Sequence, residues 1–251
     1  MSQLIKTFII PIVLLFSGCA TTSTNEIGSQ DPLETFNRAS YDLNKTMDIL
    51  LLKPMAKGYD KVMPKPAKVG ISNFFSNLDE IPTIINSVLQ GKFSAALSDT
   101  GRFLINTTLG LAGFIDVATD LDFEQHDEDF GQTLGYWGIE SGPYLVLPLF
   151  GPSSLRDVVG RGVDGFSSAG NEIDHVPTRN SIYLAELIDV RYRLLAIDGQ
   201  LEDALDEYSF VRDAYLMRRQ YQVYDGDPPE EDDFYDDDCE DIEYCDDEII
   251  D

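Results

Sequence analysis

The stretch "GPYLVLPLFGPSSLRD", residues 142–157, restricts the choice of fold more than any other part of the sequence. Residues 143–150 are almost wholly apolar, which is typical of a membrane segment or a deep interior. A helix that spans a bilayer needs about 20 such residues and few prolines, whereas this run is short and carries Pro148 in its middle. Two interpretations stay open: a tightly wound buried loop, or irregular backbone at membrane depth that protein or a water-filled cavity satisfies.

The N-terminus has the features of an exported lipoprotein. Lys6 precedes an apolar run at residues 8–16, and small residues follow, as in a secretory signal. The end of the run, "FSGC", resembles a bacterial lipobox, although Phe16 stands where Leu is usual. We therefore predict a signal peptide at residues 1–18, a lipidated Cys19 and a polar linker over residues 19–30. The alternative is an ordinary secretory signal with a chance cysteine.

Acyl chains on Cys19 would hold the protein at a membrane, since each buried methylene adds about 0.8 kcal/mol. In Gram-negative lipoproteins an Asp just after the cysteine commonly retains the protein at the inner membrane. Here that residue is Ala20, which favours the outer membrane.

The C-terminus is a block of like charge. The 251 residues carry a formal charge of −27, and residues 225–251 hold 16 of the 45 acidic residues without any Lys or Arg. Such a tail is expected to be disordered and solvated. An acidic exterior also argues against nucleic acid as a partner. Cys239 and Cys245 lie in this tail, and whether they form a disulfide stays open.

The intervening residues 31–224 read as one all-α domain. Asp31 is the predicted N-cap of the first helix, and Glu34 completes a capping box. Pro66 and Pro82 are each predicted to open a helix, and Gly91 to end one. The late chain is predicted to form two helices broken at Gly199. From 130 to 170 many glycines punctuate apolar residues, and this part is expected to form turns and short helices folded back on themselves.

Several long motifs carry a family resemblance. The segments "DPLETFNR", "FLINTTLGLAGFIDVA", "DFGQTLGYWGIESGPYLVLPLFGPSSLRD" and "VRDAYLMRRQ" resemble signatures of the MlaA (VacJ) lipoprotein family. They run in order from Asp31 to about Gln220 and cover most of the chain outside the acidic tail.

The resemblance implies a fold and a function. Members of the family are outer-membrane lipoproteins of a phospholipid trafficking pathway. Each resembles a helical ring that lies in the periplasmic leaflet around an amphipathic channel. They associate with trimeric porins and pass phospholipid to a soluble periplasmic carrier, which maintains lipid asymmetry. A ring in one leaflet wants apolar segments about half a bilayer long, so the resemblance favours the membrane interpretation of residues 142–157.

Three sets of candidate site residues follow. Lys53, Lys57 and Lys61 are spaced to share a helix face, and they would hold lipid phosphates or the anionic leaflet surface; the alternative is a solvated face. A second set of aromatic residues is suited to the headgroup boundary, with core packing as the alternative: Tyr136, Trp137 and Tyr144. The third set comprises candidates for a hinge or channel loop, with simple turns as the alternative: Gly138, Gly142, Pro148 and Gly151.

An enzyme and a scaffold are the rival classes. "GFSSA", residues 165–169, is a near miss to the nucleophile elbow of lipid hydrolases, but that motif needs a preceding strand and an α/β setting. Two histidines without metal-ligand spacing argue against zinc chemistry, and no phosphate loop is present in the sequence. We therefore expect no catalysis, no cofactor and no metal. A scaffold that only docks other envelope proteins would carry no lipid.

Overall fold

The structure is a computed structural model that describes residues 31–168 and 173–229. The predicted signal peptide, Cys19, the linker, both tail cysteines and most of the acidic tail lie outside the described residues. The described residues from Leu33 onward belong to one compact unit.

The described chain is predominantly helical, as predicted. The first five helices are α1 Glu34–Met47, α2 Lys53–Val62, α3 Lys65–Leu89, α4 Phe93–Thr108 and α5 Val117–Asp120. The next five are α6 Phe130–Tyr136, α7 Leu155–Ser167, α8 Val176–Leu194, α9 Asp198–Glu202 and α10 Glu207–Val223. A π-helical turn, Asp48–Leu52, joins α1 to α2, and a 3₁₀ turn, Leu195–Ile197, joins α8 to α9. Two strands complete the elements, β1 Tyr144–Leu147 and β2 Gly151–Ser154.

Three predicted helix boundaries are wrong. The first helix begins at Glu34 with Leu33 as its N-cap, so Asp31 does not cap it. Pro82 lies inside α3 rather than at a helix start, because α3 packs along α4 and tertiary packing outweighs the proline penalty. Gly199 lies inside α9, and the late break falls at residues 203–206. Pro66 near the start of α3 and Gly91 just after its end are confirmed.

The glycine-rich segment contains a β-hairpin where turns and short helices were predicted. The strands pair antiparallel, with Tyr144 opposite Ser154 and Leu147 opposite Gly151. Tyr144 and Val146 are buried, while Leu145 and Leu147 are only partly buried. This alternation was hidden in the sequence because both faces of β1 are apolar.

Two asparagines of α1 form hydrogen bonds with the backbone groups of β1 that do not face β2. Asn37 donates to the Tyr144 carbonyl at 3.0 Å and accepts from the Val146 N–H at 2.8 Å. Two helical turns further along α1, Asn44 donates to the Leu147 carbonyl at 2.9 Å and accepts from the Leu149 N–H at 2.6 Å. The helix therefore replaces a third strand, because buried backbone groups need partners.

The usual distribution of side chains is inverted in this molecule, because most buried side chains are polar and many large apolar side chains are exposed. Among the described residues, seven apolar or aromatic side chains are buried, whereas 22 polar or charged side chains are. A further 41 large apolar side chains are exposed. The first helix shows this pattern, since Leu33, Phe36 and Leu43 are exposed while Asn37 and Ser40 are buried. Exposure on this scale marks a surface that contacts something other than water.

No helix within residues 31–168 and 173–229 is both long enough and apolar enough to cross a membrane.

Candidate functional site

Four neighbouring cavities lie within the helical unit. The wide cavity, about 1060 Å³, is bounded by the start of α4, residues 121–128 and the end of α10. The acidic cavity, about 380 Å³, lies between α3 and the loop at residues 125–127, with Arg193 of α8 on its wall. The constriction, about 40 Å³, and the apolar cavity, about 420 Å³, lie between α3 and α8.

Neighbouring cavities share wall residues. Gln125, His126 and Asp127 line both the wide and the acidic cavity. Asp79 lines both the acidic cavity and the constriction. Phe75 is common to the constriction and the apolar cavity. The series therefore outlines a candidate passage.

The character of the walls changes along this passage. Hydroxyl, amide and charged groups line the acidic cavity, including Ser76, Thr83 and Arg193. The apolar cavity is lined mainly by hydrocarbon, including Phe74 and Ile182. The acidic cavity thus suits a polar group and the apolar cavity suits hydrocarbon, which is the arrangement that an amphipathic molecule requires.

Helix α3 supplies one wall of three of the four cavities. Phe75, Asp79 and Thr83 recur every four residues, so they lie along one face of the helix. Thr83 Oγ1 donates to the Asp79 carbonyl at 3.0 Å, which fixes its rotamer. Pro82 also lines the constriction, where its rigid ring narrows the passage.

Two neighbouring carboxyl groups on α3 are held in unfavourable surroundings. Asp79 is solvent-exposed, although its side chain lies on the walls of two cavities, where protein replaces part of its hydration. Burial therefore raises the pKa of Asp79 to about 7, and the nearby carboxylates of Glu186 and Asp127 add to the rise. Burial also raises the pKa of Glu80 to about 7, although Arg102 opposes it. Both side chains are thus costly to ionise in the absence of a further positive charge.

His126 is fixed at the junction of the wide and acidic cavities. Its Nδ1 lies 2.9 Å from Asp99 Oδ1, and its backbone N–H donates to the same oxygen at 3.2 Å. Asp99 is completely buried on α4. The helix therefore positions the loop that forms the shared wall.

Two buried arginines hold the elements that frame the cavities. Arg102 on α4 donates to Glu80 on α3 at 3.1 Å and to Asp116 at 3.0 and 3.2 Å. Arg219 on α10 donates to Asp157 on α7 at 2.8 and 3.0 Å, and it also pairs with Asp129 before α6. These pairs join distant parts of the chain, because each guanidinium presents several donors in a fixed geometry.

The predicted lysine set separates into one paired and two unpaired side chains. Lys53 lies 2.9 Å from Asp198 and 3.1 Å from Glu202, so its charge is already neutralised. Lys57 and Lys61 are exposed, and neither makes an ion pair with any residue that the structure describes. The sequence did not reveal the partners of Lys53 because they lie far along the chain.

The three predicted aromatics occupy two different environments. Tyr136 and Trp137 are each 52 % exposed at the end of α6, and Trp137 Nε1 donates to the Leu89 carbonyl at 3.3 Å. Tyr144 is only 2 % exposed and packs with Val146 and Tyr208. For Tyr144 the alternative of core packing is therefore what the structure shows.

The predicted loop residues lie at turns around the hairpin. Gly138, Gly142 and Gly151 all have positive φ, of 86°, 67° and 76°, a conformation that favours glycine. Pro148 begins the hairpin turn, which presents Leu149 and Phe150 to the outside.

The residues of the acidic cavity were missed. Asp79, Glu80 and Arg193 did not stand out in the sequence. The available signal was two adjacent carboxyl groups within an otherwise apolar stretch of α3, "FFSNLDEIP".

The near-elbow serine does not have the geometry of a nucleophile. Ser167 is the last residue of α7, and its Oγ donates to the Asp164 carbonyl at 3.0 Å. Within residues 155–168 the backbone is helical up to this point, so the strand and sharp turn of a nucleophile elbow are not present there. Ala169 lies outside the described residues.

Comparisons with known proteins agree with the family resemblance. The family model described as "MlaA lipoprotein" matches residues 29–222. The "Intermembrane phospholipid transport system lipoprotein MlaA" of Escherichia coli is 38 % identical over 216 residues, which cover 84 % of this chain and 86 % of that protein. The protein of the same name from Haemophilus influenzae is 33 % identical over 224 residues, covering 85 % and 88 % of the two chains.

A solved structure described as "Structural basis for maintenance of bacterial outer membrane lipid asymmetry" has the same fold. It superimposes with a TM-score of 0.70 at 35 % identity, and the alignment covers 78 % of this chain and all of that one. The family match covers residues 29–222, which include nearly all of the helical unit. The chain belongs to the MlaA lipoprotein family.

Proposed function

We propose that this protein is the lipoprotein component of an intermembrane phospholipid transport system and maintains outer-membrane lipid asymmetry. The observation that carries the proposal is the inverted polarity of the fold, with charged and amide side chains inside and large apolar side chains outside. The names of the relatives and the shared fold give independent support.

The exterior fits a protein immersed in one leaflet. Val69 on α3, Leu104 on α4 and Phe150 at the hairpin tip are all exposed. Such side chains lose nothing by contact with acyl chains, whereas in water each exposed apolar surface costs about 25 cal/mol per Å². We place the helical unit in the periplasmic leaflet of the outer membrane, as a ring around the passage, with Cys19 as its lipid anchor.

The passage lowers the barrier to moving a phospholipid. A charged headgroup costs several kcal/mol or more to move into hydrocarbon without partners, and the acidic cavity offers such partners. The apolar cavity and the exposed outer faces accommodate the tails. No covalent bond is made or broken in this step, so the protein acts as a conduit and not as an enzyme.

The direction and the partners extend the same proposal. Phospholipid leaves the outer leaflet through the passage and is handed to a soluble periplasmic carrier, and a trimeric porin holds the protein in place. The exposed Lys57 and Lys61 contact anionic headgroups at the leaflet surface, with Tyr136 and Trp137 at the headgroup boundary. The turn glycines Gly138, Gly142 and Gly151, together with Pro148, allow the hairpin to move.

The test is complementation of a deletion strain, scored by phospholipid in the outer leaflet. The intact chain should restore asymmetry. Ser76→Trp, which fills the acidic cavity, should fail to restore it, whereas Leu104→Trp on the outer face of α4 should restore it as wild type does. Cys19→Ser should also fail, because the anchor is lost.

The outcome that contradicts the proposal is full restoration by Ser76→Trp. A scaffold lipoprotein would give that result, because its role does not need an open passage. Membrane amounts of each variant, measured by immunoblot, show whether a failure reflects a misfolded protein.

A further inference from the structure

The acidic cavity contains negative charge without a matching partner. The Asp79 carboxylate makes no hydrogen bond or ion pair with any residue that the structure describes. Glu80, only 2 % exposed, uses Oε1 to bind Arg102, while its Oε2 accepts no hydrogen bond within the described chain. A buried oxygen normally has a partner, so Glu80 Oε2, next to the solvent-exposed and unpaired Asp79, points to a cationic donor that is supplied from outside.

A positively charged side chain lies on the wall of the same cavity. Arg193 of α8 lines the acidic cavity, and its side chain is 53 % exposed. Its contact with Asp189 is 3.3 Å and uses Nε, which leaves its terminal nitrogens available to a second anion. The cavity thus offers carboxylate acceptors and a guanidinium donor together.

Building on the proposed function, we propose that the acidic cavity selects phospholipids with a zwitterionic primary-amine headgroup, the phosphatidylethanolamine class. The ammonium binds Asp79 and Glu80 Oε2, and the phosphate binds Arg193. A volume of about 380 Å³ lies within the range of small-ligand sites.

The chemistry separates this headgroup from two other common types. A primary ammonium has three N–H donors for the carboxylate oxygens, whereas a choline group has none. A glycerol headgroup has no positive charge, so its net negative lipid is repelled by Asp79 and Asp127. Charge-assisted hydrogen bonds are about twice as strong as neutral ones, which favours the amine.

Lipid exchange with the purified full-length protein tests the inference. The detergent-solubilised protein is incubated with vesicles of equal parts phosphatidylethanolamine, phosphatidylglycerol and phosphatidylcholine. It is then re-isolated, and its bound lipid is quantified by mass spectrometry. Wild type should retain the ethanolamine lipid about fivefold over the glycerol lipid. In Asp79→Asn this ratio should fall to about one.

A matched control separates the cavity from bulk lipid around the protein. Asp42→Asn removes an exposed carboxylate of α1 that lines none of the four cavities, so it should leave the ratio at the wild-type value. Lipid that merely surrounds the protein contributes equally in both variants. Arg193→Gln should lower the retention of all three lipids, because each carries the phosphate.

The failures of the two proposals are distinguishable. If Ser76→Trp retains as much lipid as wild type, the passage itself is wrong. If Ser76→Trp loses lipid but Asp79→Asn keeps the wild-type ratio, the selection is wrong and the passage stands. Loss of the wild-type preference on adding EDTA would also overturn the selection, because the carboxylates would then be holding a divalent cation.

Discussion

The hairpin region and the α3–α4 pair are built on opposite rules. Around the hairpin, Tyr144, Val146 and Tyr208 form an apolar cluster, and Arg38 pairs with Asp206 at the surface. In the α3–α4 pair the interior holds Glu80 and Arg102, while apolar side chains face out. Apart from the exposed hairpin tip at Leu149 and Phe150, the first arrangement suits a protein in water and the second suits a protein in lipid, so one chain is folded for two solvents.

The difference also concerns what holds each region together. Burial of aromatic rings stabilises the hairpin region through the hydrophobic effect. In the α3–α4 pair, apolar contact with lipid adds little to helix association, so close packing and polar pairs must stabilise the association of the two helices. Buried ion pairs are costly to break because the remaining charge is stranded. Substitutions inside and outside each region therefore test the comparison.

The largest effect is expected from the buried arginine of α4. Arg102→Ala should lower the free energy of unfolding by about 3–5 kcal/mol, because Glu80 is left as a buried charge without its partner. Leu104→Ala, two residues along the same helix but facing outward, should change it by about 0.5 kcal/mol or less in detergent. Thermal unfolding of the detergent-solubilised variants measures both. Equal losses of unfolding free energy in the two variants would contradict the proposed difference between the inner and outer faces of α4.

The asparagine pair of α1 should give an intermediate effect. Asn37→Ala leaves the buried Tyr144 carbonyl and Val146 N–H without partners, at about 1–3 kcal/mol for each group. Asn44→Ala should cost about 1 kcal/mol, since its partners lie near the exposed hairpin turn and water replaces the side chain. Urea unfolding of the two variants gives the order, and a larger cost for Asn44→Ala would contradict it.

The passage carboxylate should make stability depend on pH. The pKa of Asp79 is raised to about 7 in the folded protein from an ordinary value of 3.8. The folded state therefore binds this proton more tightly than the unfolded state does. The resulting stabilisation is complete below pH 4 and is lost as the pH rises to 7. Relative to wild type, Asp79→Asn should gain stability between pH 5 and pH 8.

The gain should be about 1 kcal/mol or less, because water in the cavities screens the carboxylate. Melting temperatures of both proteins at pH 5, 6, 7 and 8 measure it. A difference that is constant over this range would show that the pKa of Asp79 is not raised toward 7 in the folded protein.

The smallest effect on stability is expected at the exposed lysines. Replacing Lys57 and Lys61 together by Glu should change the free energy of unfolding by about 0.5 kcal/mol or less. The same change should weaken binding to vesicles of phosphatidylglycerol by about 1 kcal/mol for each charge removed, and more for reversal. Flotation assays at 0.1 M salt measure the binding, with Lys53→Glu as the paired comparison.

Much of the helical framework could be predicted from the sequence, because its signals are local. Glycine after α3 and proline near its start mark the boundaries through backbone geometry alone. The apolar residues of α1 recur at a helical period, but periodicity does not say which face turns inward. That choice depends on the solvent, and only the family resemblance indicated lipid.

The hairpin and the site could not be predicted, because they depend on contacts between distant residues. The edge of β1 is satisfied by Asn37 and Asn44, more than 100 residues earlier in the chain. Arg193 reaches the cavity of Asp79 only through the packing of α8 beside α3. Local sequence patterns do not show which distant residues come into contact.

The most direct test of the two-solvent account is spin-label accessibility in bilayers. Single cysteines replace Leu104 on the outer face of α4 or Ser76 in the acidic cavity, in a chain with Cys239 and Cys245 changed to Ser, and each is labelled. The account predicts that oxygen, which concentrates in hydrocarbon, relaxes the label at 104, and that a water-soluble nickel complex relaxes the label at 76. The reverse pattern, or nickel access at both positions, would contradict it.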